Sequence, residues 1–459
     1  MRWACAVVSL LPLITFLIFH DKKDLFGPKN IFSLLYIVGI IIPIVYYSDK
    51  ANCLTVGNAY LFDALNNDSE FFKYVVLQTL SYHCVMAGIG LVSKNEICGN
   101  QRQPNDLVEL SSYKFWGYLF VIAGLIAFSL IMRKIGGLAY FISHLQSRTY
   151  LVRDLDVLSW ILSLAQYGCL LIIASRIDRE KPINLGVIIL IVMVGLMCGL
   201  GGRKALLILV VEAIVIYHYM FKQITISDIL NPKIIFALLA ILVFFLVLSD
   251  LRAEGAFDRL ANDPLSFISS SFSGLTSSLV GESYVPFYVK VVEYFNLHEL
   301  WGGSSFLGLI SAFIPSGLFP NKPPVDDGAY LYSICQGRNG IVPPMPFNQL
   351  NGSSFPLETF GSMYSNFGAI GLAVGMVILG IIYGLVYKKM HSTSCSLFWT
   401  IMYLQVIMTF QLSTLRIFQF IECFVLMGLV IKTSEFLVLK RTEQRSRKSP
   451  FLIEQSDKR

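Results

Sequence analysis

The chain has 459 residues, of which 55% are hydrophobic and only 14% are charged, with a formal net charge of +6. Soluble domains carry about 25% charged residues, so this composition excludes an ordinary soluble protein and indicates a membrane protein. The positive charge does not indicate nucleic-acid binding, because the basic residues lie between apolar segments and in the C-terminal tail.

Apolar segments long enough to cross a membrane recur along the chain. A helix crosses the hydrocarbon layer with about 20 predominantly apolar residues, and the pattern predicts an all-α polytopic membrane protein with about 11 (10–12) transmembrane helices. The first segment lacks a small-residue cleavage site before its charges, so it is interpreted as a retained span. The predicted spans lie near residues 3–20, 31–47, 71–93, 115–132, 157–175, 184–200, 204–221, 233–249, 367–387, 395–411 and 416–436.

One long polar interval interrupts the series of spans. Residues 250–366 are rich in Gly, Pro and Ser and separate the eighth predicted span from the ninth. The predicted organisation is therefore an N-terminal bundle of about eight helices over 1–249, the large loop over 250–366, C-terminal transmembrane helices over 367–436, and a disordered basic tail over 437–459.

The distribution of lysine and arginine orients the predicted bundle. Cytoplasmic loops are enriched in these residues, so the basic tail predicts a cytoplasmic C-terminus. Counting back through the spans places the basic segments DKKDLFGPK, SRIDREK and YKKMH in the cytoplasm. The same count places the 250–366 loop outside.

Five arginines face outward in this topology, against the usual distribution. Guanidinium groups match phosphate oxygens in two-point hydrogen bonding, so an anionic ligand on the outer face would explain them. The alternative is that each arginine extends from a helix end into lipid headgroups. The set as a whole favours a ligand site. Its members are Arg148, Arg153, Arg203, Arg252 and Arg416.

Carboxylates in the large loop are the candidate acid–base groups. Glu358 is predicted to be catalytic, because its segment SSFPLETFGSMYSNFGAIG leads directly into the span at 367. A carboxylate there lies near the membrane surface, at the level of the outward arginines. Most of the loop carboxylates are expected to be solvated surface charges. The set is Glu254, Glu282, Glu293, Glu299, Asp326, Asp327 and Glu358.

Several kinds of chemistry have no motif in the sequence. There is no Walker A lysine, no phosphate-binding GxGxxG and no HExxH, and the nine cysteines show no metal spacing, so no cofactor and no metal are predicted. Cys53 and Cys335 fall in loops, where a disulfide is an open alternative. Without nucleotide hydrolysis, an exterior reaction needs an activated substrate. A lipid-linked pyrophosphate sugar suffices, because one carboxylate and cationic stabilisation of the leaving phosphates can drive its transfer.

Three segments, GGRKALLILV, SAFIPSGLFPNKP and LETFGSMYSNFGAIGLAVGMVILG, together with the many spans and the single large loop, resemble the O-antigen polymerase (Wzy-type) family of repeat-unit polymerases. The resemblance implies a metal-independent, C-type glycosyltransferase-like enzyme of the bacterial inner membrane. Such an enzyme transfers the growing glycan from undecaprenyl pyrophosphate to the next lipid-linked repeat unit on the periplasmic face. The motif positions implied are Arg203, Lys322, Glu358, Tyr364 and Asn366.

The resemblance also implies the binding partners. They are undecaprenyl-pyrophosphate-linked oligosaccharides and membrane lipids, with a chain-length regulator and a flippase as protein partners, and no nucleic acid. The exterior arginines would bind the pyrophosphate. Two other functions stay open. A lipid A–core O-antigen ligase would need an exterior histidine, for which His298 is the candidate within 250–366, and a lipid-linked glycan flippase would have short loops on both sides.

Overall fold

A computed structural model gives the fold of most of the chain. The described part is helical and contains no strand, which confirms the all-α class. The described residues are 1–22, 24–92, 107–145, 151–152, 155–176, 183–200, 202–232, 256, 259, 262–273, 283–312, 314, 319, 321–355, 357–393 and 395–448.

The helices are numbered in chain order. The first eleven are α1 (Arg2–Phe19), α2 (Pro28–Tyr47), α3 (Lys50–Cys53), α4 (Ala59–Asn66), α5 (Asp68–Val92), α6 (Leu107–Ile135), α7 (Leu138–Ser143), α8 (Asp156–Ala174), α9 (Leu185–Cys198), α10 (Arg203–Met220) and α11 (Ile226–Ile229). The others are α12 (Pro264–Ser273), α13 (Val285–Leu297), α14 (Leu307–Ala312), α15 (Gly328–Cys335), α16 (Glu358–Ser392), α17 (Leu397–Thr409) and α18 (Thr414–Lys448).

Two of the long helices are irregular next to a proline. Helix α1 is interrupted at Leu10, just before Pro12, and α2 contains a wider π-helical turn, Ile37–Ile41, just before Pro43. A proline ring removes one backbone N–H and crowds the preceding turn, and a wider turn accommodates that crowding.

Among the described residues, seven helices are long and apolar enough to cross a membrane. They are α1, α2, α5, most of α6, most of α8, α16 and the first part of α18, and the apolar helices α9 and α17 are shorter. All nine coincide with predicted spans. The span predicted at 204–221 corresponds to α10, and the one predicted at 233–249 lies outside the described residues. The protein is therefore an all-α membrane protein, and the count of about eleven spans stays a prediction.

Helix α16 begins earlier than the sequence pattern predicts. It starts at Glu358 rather than at residue 367, and Gly368 interrupts it with non-helical angles, φ 65° and ψ −157°. Glycine adopts positive φ without a steric penalty. The apolar pattern marks only the part from residue 367 onward, so the predicted loop includes nine residues, 358–366, that are helical.

By their internal contacts, the residues form two compact units that interleave along the chain. The first unit comprises Met1–Cys98, Thr276–Thr393 and Met402–Phe424. The second comprises Gly99–Leu275, Ser394–Ile401 and Val425–Arg459. The predicted division into a bundle, a loop and a C-terminal segment is a division by topology and stays a prediction.

The centre of the first unit is the contact between α5 and α16. A Cβ added at Gly88 would lie 2.3 Å from the Val377 carbonyl oxygen, and one added at Gly380 would lie 2.2 Å from the Val85 carbonyl oxygen. The two backbones therefore touch directly. Small residues commonly permit such close packing between membrane helices, where dispersion contacts replace the hydrophobic effect.

One end of the first unit, here called the loop end, gathers residues 1–2, 48–67 and the described residues of 283–357. The Arg2 guanidinium donates to Asp68 Oδ1 at 2.9 Å and to the Tyr47 carbonyl at 3.2 Å. Asn58 Nδ2 donates to Gln336 Oε1 at 3.1 Å. These bonds hold the N-terminus, the 48–67 segment and the large loop together.

The opposite end of the same unit, here called the basic end, contains the segments DKKDLFGPK and YKKMH. Tyr387 OH donates to Asp24 Oδ2 at 2.6 Å, and Tyr403 OH donates to the Phe26 carbonyl at 2.5 Å. Two of the three basic segments that the predicted topology assigns to the cytoplasm thus lie at one end of this unit. Segments of the same unit that the topology assigns to the outside lie at the other end.

The second unit is built around α6, α8, α9 and α10. A Cβ added at Gly168 of α8 would lie 2.7 Å from the Gly117 carbonyl oxygen of α6, and one added at Gly195 of α9 would lie 2.5 Å from Leu206 Cδ1 of α10. Helices α9 and α10 form a hairpin whose turn closes with a 2.6 Å hydrogen bond from Gly202 N to the Gly199 carbonyl. This hairpin carries the GGRK motif.

The loop cysteines do not form the disulfide that the sequence left open. Cys53 and Cys335 are both buried free thiols. The Cys53 thiol donates to the Tyr47 carbonyl at 3.6 Å, and the Cys335 thiol donates to the Phe287 carbonyl at 3.9 Å. Both side chains therefore act as small buried groups that pack segments of the loop end.

Candidate functional site

Glu358 occupies a strained position at the start of α16. Its backbone φ is 54°, a left-handed conformation that costs a non-glycine residue about 1–3 kcal/mol and that clusters at functional sites. The side chain is 32% exposed. The residue predicted to be catalytic is therefore held in an unfavourable conformation by its surroundings, and about a third of its side chain is exposed.

Arg416, in the first turn of α18, is paired with this carboxylate. Arg416 Nη2 lies 3.3 Å from Glu358 Oε1, and Arg416 Nη1 donates to Gln419 Oε1 at 2.9 Å. The Nε atom is buried and has no hydrogen-bond partner among the described residues. A guanidinium has five N–H donors, so this one keeps donor capacity for a further anionic group.

A short hydrogen-bond chain fixes the turn that carries Arg416. The Leu412 amide donates to Thr359 Oγ1 at 2.8 Å, and this hydroxyl donates to Gln411 Oε1 at 2.6 Å. Tyr383 OH donates to the Phe410 carbonyl at 3.0 Å. The turn between α17 and α18 is thereby tied to α16 at Thr359, next to Glu358, and at Tyr383.

Asp327 forms a second contact between the same helices and the large loop. Its backbone N donates to Thr414 Oγ1 at 3.1 Å, and its Oδ2 atom accepts a hydrogen bond from Ser362 Oγ. The side chain is 3% exposed. Asp327 therefore joins the loop to α16 one turn after Glu358 and to α18 two residues before Arg416.

The surroundings of Asp327 change its protonation. The pKa of this carboxyl is raised to about 7, chiefly because the group is buried; the Ser362 hydrogen bond opposes this rise, and the neighbouring Asp326 carboxylate adds to it. The expectation that loop carboxylates are solvated does not hold here. The sequence gives little signal of this burial, because the groups that cover Asp327 lie 35 and 87 positions away.

Asn366 and Tyr364, two predicted substrate-binding residues, hold the loop against α16. Asn366 Oδ1 accepts from Gly303 N at 3.0 Å, and its Nδ2 donates to Ser305 Oγ at 2.8 Å. Tyr364 OH donates to Asn296 Oδ1 at 3.3 Å. Both side chains are buried. Their polar groups serve protein partners, and a role in binding substrate stays a prediction.

Of the remaining predicted site residues, Lys322 is the one whose side chain lies in the described part of the structure. Lys322 Nζ donates to the Ile314 carbonyl at 2.9 Å. Arg203 is the first residue of α10 in the second unit, and its side chain is outside the described part. The predicted residues outside the described part altogether are Arg148, Arg153 and Arg252.

Comparison with known proteins gives no further assignment of this site. No protein-family model, no curated protein and no solved structure matches the chain. Within the described residues, no cluster of three or more His, Cys, Asp or Glu side chains could hold a metal ion. The functional argument therefore rests on the site residues and on the resemblance of the sequence motifs.

Proposed function

We propose that this protein polymerises lipid-linked oligosaccharide repeat units into a surface polysaccharide. In this proposal the growing chain moves from undecaprenyl pyrophosphate to the next lipid-linked unit at the outer face of a bacterial inner membrane. The observation that carries it is the pairing of Glu358 with Arg416 at 3.3 Å. The pair lies where the large loop meets two membrane helices.

In this proposal each part of the substrate has its own environment. A polyprenyl chain lies in the hydrocarbon layer, its pyrophosphate at the surface and its sugars outside. Glu358 and Arg416 are in the first turns of α16 and α18, and Asp327 of the large loop hydrogen-bonds to both helices beside them. Arg416 is assigned to the pyrophosphate, because a guanidinium binds phosphate oxygens by charge-assisted hydrogen bonds.

The chemistry assigns one role to each residue. The acceptor hydroxyl oxygen bonds to the anomeric carbon of the growing chain, and its proton passes to the Glu358 carboxylate. The bond between that carbon and the pyrophosphate oxygen breaks, and undecaprenyl pyrophosphate leaves with the bonding electrons. Arg416 stabilises the negative charge that develops on this leaving group.

The test uses the purified full chain in vesicles with lipid-linked repeat units, and polymer is measured by gel and mass spectrometry. We expect polymer from the wild type and none from Glu358→Gln. The matched control is Glu293→Gln, which removes the carboxylate of another loop ion pair, Lys290–Glu293 at 2.6 Å. Equal polymer from Glu358→Gln and wild type would overturn the assignment of Glu358.

The same vesicles separate the alternative functions. A ligase would attach the glycan to added lipid A–core and would make no polymer from repeat units alone. A flippase would move the lipid-linked unit across the membrane without changing its mass. Product masses therefore distinguish all three outcomes, and absence of polymer with the wild type would reject the proposed function.

A further inference from the structure

A pocket of about 400 Å³ lies at the loop end of the first unit. It is enclosed by the end of α2, the 55–61 segment and the start of α13. We propose that this pocket binds an uncharged sugar residue of the glycan substrate. This assignment deepens the proposed function and rests on it. The lining residues used below are Tyr46, Thr55, Gly57, Asn58, Ser283 and Phe287.

The chemistry of the lining favours a neutral sugar. None of the lining side chains carries a charge, so the pocket offers nothing to balance a phosphate or a carboxylate. Tyr46 and Phe287 supply aromatic surface, and Thr55, Asn58 and Ser283 supply the polar part of the lining, with hydroxyl and amide groups that also bond within the protein. Sugar rings combine apolar faces with hydroxyl rims, and a mostly apolar wall with a few polar groups is the usual form of a small-ligand pocket.

The size of the pocket limits what it can hold. Ligand pockets typically span about 300–1,000 Å³, and this one is near the small end. A short stretch of a sugar chain fits, and a folded polymer does not. The pocket is therefore suited to one position of an oligosaccharide whose remaining residues lie outside it.

Hydrogen bonds fix the walls before any ligand arrives. Arg2 Nη1 donates to the Tyr47 carbonyl at 3.2 Å, and Asn52 Nδ2 donates to the Tyr46 carbonyl at 2.9 Å. Asn58 Nδ2 donates to Gln336 Oε1 at 3.1 Å, which ties the pocket wall to α15. Pre-formed walls reduce the entropy lost on binding.

One helix joins the pocket to the Glu358 turn. Phe287 of α13 lines the pocket, and the next residue, Tyr288, stacks on Tyr74 with centroids 5.8 Å apart. Tyr288 also meets the Phe360 ring edge-on at 5.1 Å. Because Phe360 follows Glu358 by two positions, the pocket and the Glu358–Arg416 pair are held by one aromatic cluster. In this proposal a sugar chain with its pyrophosphate at Arg416 extends to the pocket.

Blocking variants test the pocket without disturbing the fold. A Cβ added at Gly57 meets no atom within 4 Å, so Gly57→Trp fills open space in the pocket. Thr55→Trp is the second blocking variant, because Thr55 is exposed and lines the same pocket. The matched control is Leu54→Trp, at a neighbouring side chain that is 73% exposed and is not among the lining residues.

The measurement is calorimetric titration of the purified full chain in micelles. The probe is a two-repeat oligosaccharide, free of lipid and phosphate, released from the surface polysaccharide of the strain that encodes the chain. We expect about tenfold or greater weakening in both blocking variants, equal to about 1.4 kcal/mol or more, and wild-type affinity in Leu54→Trp. Wild-type affinity in both blocking variants would overturn the proposal.

This test is independent of the test of the proposed function. If the blocking variants bind normally while Glu358→Gln abolishes transfer, the pocket proposal fails and the polymerase proposal stands. If the wild type makes no polymer but binds the oligosaccharide, and the blocking variants lose that binding, the sugar pocket stands and the polymerase proposal fails. Weakening in Leu54→Trp equal to that in the blocking variants would show that bulk in this segment, not the pocket, controls binding, and would also overturn the pocket proposal.

Discussion

Arg416 Nη2 lies 3.3 Å from Glu358 Oε1, although 58 positions separate the two residues along the chain. Each residue is in the first turn of a membrane helix. The sequence predicts each of them to be a site residue, but for a different reason. Glu358 precedes a span, and Arg416 faces outward against the usual charge distribution. Their contact brings one carboxylate and one cation together within the first unit.

Replacing Arg416 tests whether the guanidinium stabilises a leaving group. We expect Arg416→Ala to lower kcat/KM for repeat-unit transfer by about 10²–10³-fold, equal to about 2.7–4 kcal/mol, the range for losing one preorganised donor. Arg416→Lys should recover only part, because lysine keeps the charge and loses the planar fork. Initial rates in vesicles measure both.

The control for the Arg416 variants is Arg338→Ala, which removes an exposed loop arginine bonded to Asn351 Oδ1 at 3.3 Å. We expect wild-type rates from it. Full activity in Arg416→Ala would mean that the outward arginine only contacts lipid headgroups.

Asp327 should make the stability of the loop end depend on pH. Its pKa of about 7 lies above its ordinary value, so between about pH 4 and pH 7 the folded chain holds a proton that the unfolded chain has released. Stability contributed by this group is therefore present below the ordinary pKa and is lost as the pH rises through 7. We expect the apparent unfolding temperature of the wild type to fall over this range, and Asp327→Asn to fall less.

Thermal unfolding in micelles at several pH values measures this effect. The matched control is Glu299→Gln, which removes an exposed carboxylate from the same loop and should follow the wild type at every pH. Identical pH profiles for Asp327→Asn and wild type would show that the Asp327 carboxyl is not the titrating group.

Two glycines on one helix test the contact between α5 and α16. A Cβ at Gly88 would lie 2.3 Å from the Val377 carbonyl, whereas one at Gly90 meets no atom within 4 Å. Because overpacking costs about 1–3 kcal/mol, Gly88→Ala should lower the unfolding temperature. Gly90→Ala should leave it unchanged or raise it, since alanine favours the helix. Equal effects of both substitutions would contradict the close packing.

His298 tests the ligase alternative directly. The ring stacks on Tyr294 with centroids 3.9 Å apart, and its Nδ1 atom lies 2.9 Å from the Tyr294 carbonyl oxygen. These contacts are local to one turn of α13 and do not join His298 to Glu358. We expect His298→Ala to polymerise repeat units at the wild-type rate. A complete loss of glycan transfer in this variant would favour the ligase interpretation.

The sequence predicts the membrane helices well and the loop end poorly. Hydropathy depends on local composition, so it locates α1, α2, α5, α16 and the other long helices without knowledge of their partners. It places the start of α16 too late, because the ten residues before Gly368 are helical but not uniformly apolar.

Burial of polar groups in the loop end depends on contacts between residues that are far apart in the sequence. Local composition does not indicate these contacts. Asp327 has the same local appearance as the neighbouring Asp326, yet contacts from Ser362 and Thr414 bury it. The motifs predict Asn366 and Tyr364 to bind ligand, and in the structure each hydrogen-bonds a protein partner. The same types of polar side chain assemble a loop and bind a substrate. Residue type and position in the sequence therefore do not distinguish the two roles.

The interleaving of the two units has a consequence for how the chain is made. About 270 residues are synthesised between the end of α5 and the start of α16. At ordinary elongation rates this takes roughly 15–50 s. During that interval the glycine face around Gly88 can contact only lipid or another helix. A chain that stops before residue 358 therefore leaves α5 without its partner, and membrane quality-control proteases should remove such products rather than retain a partly working fragment.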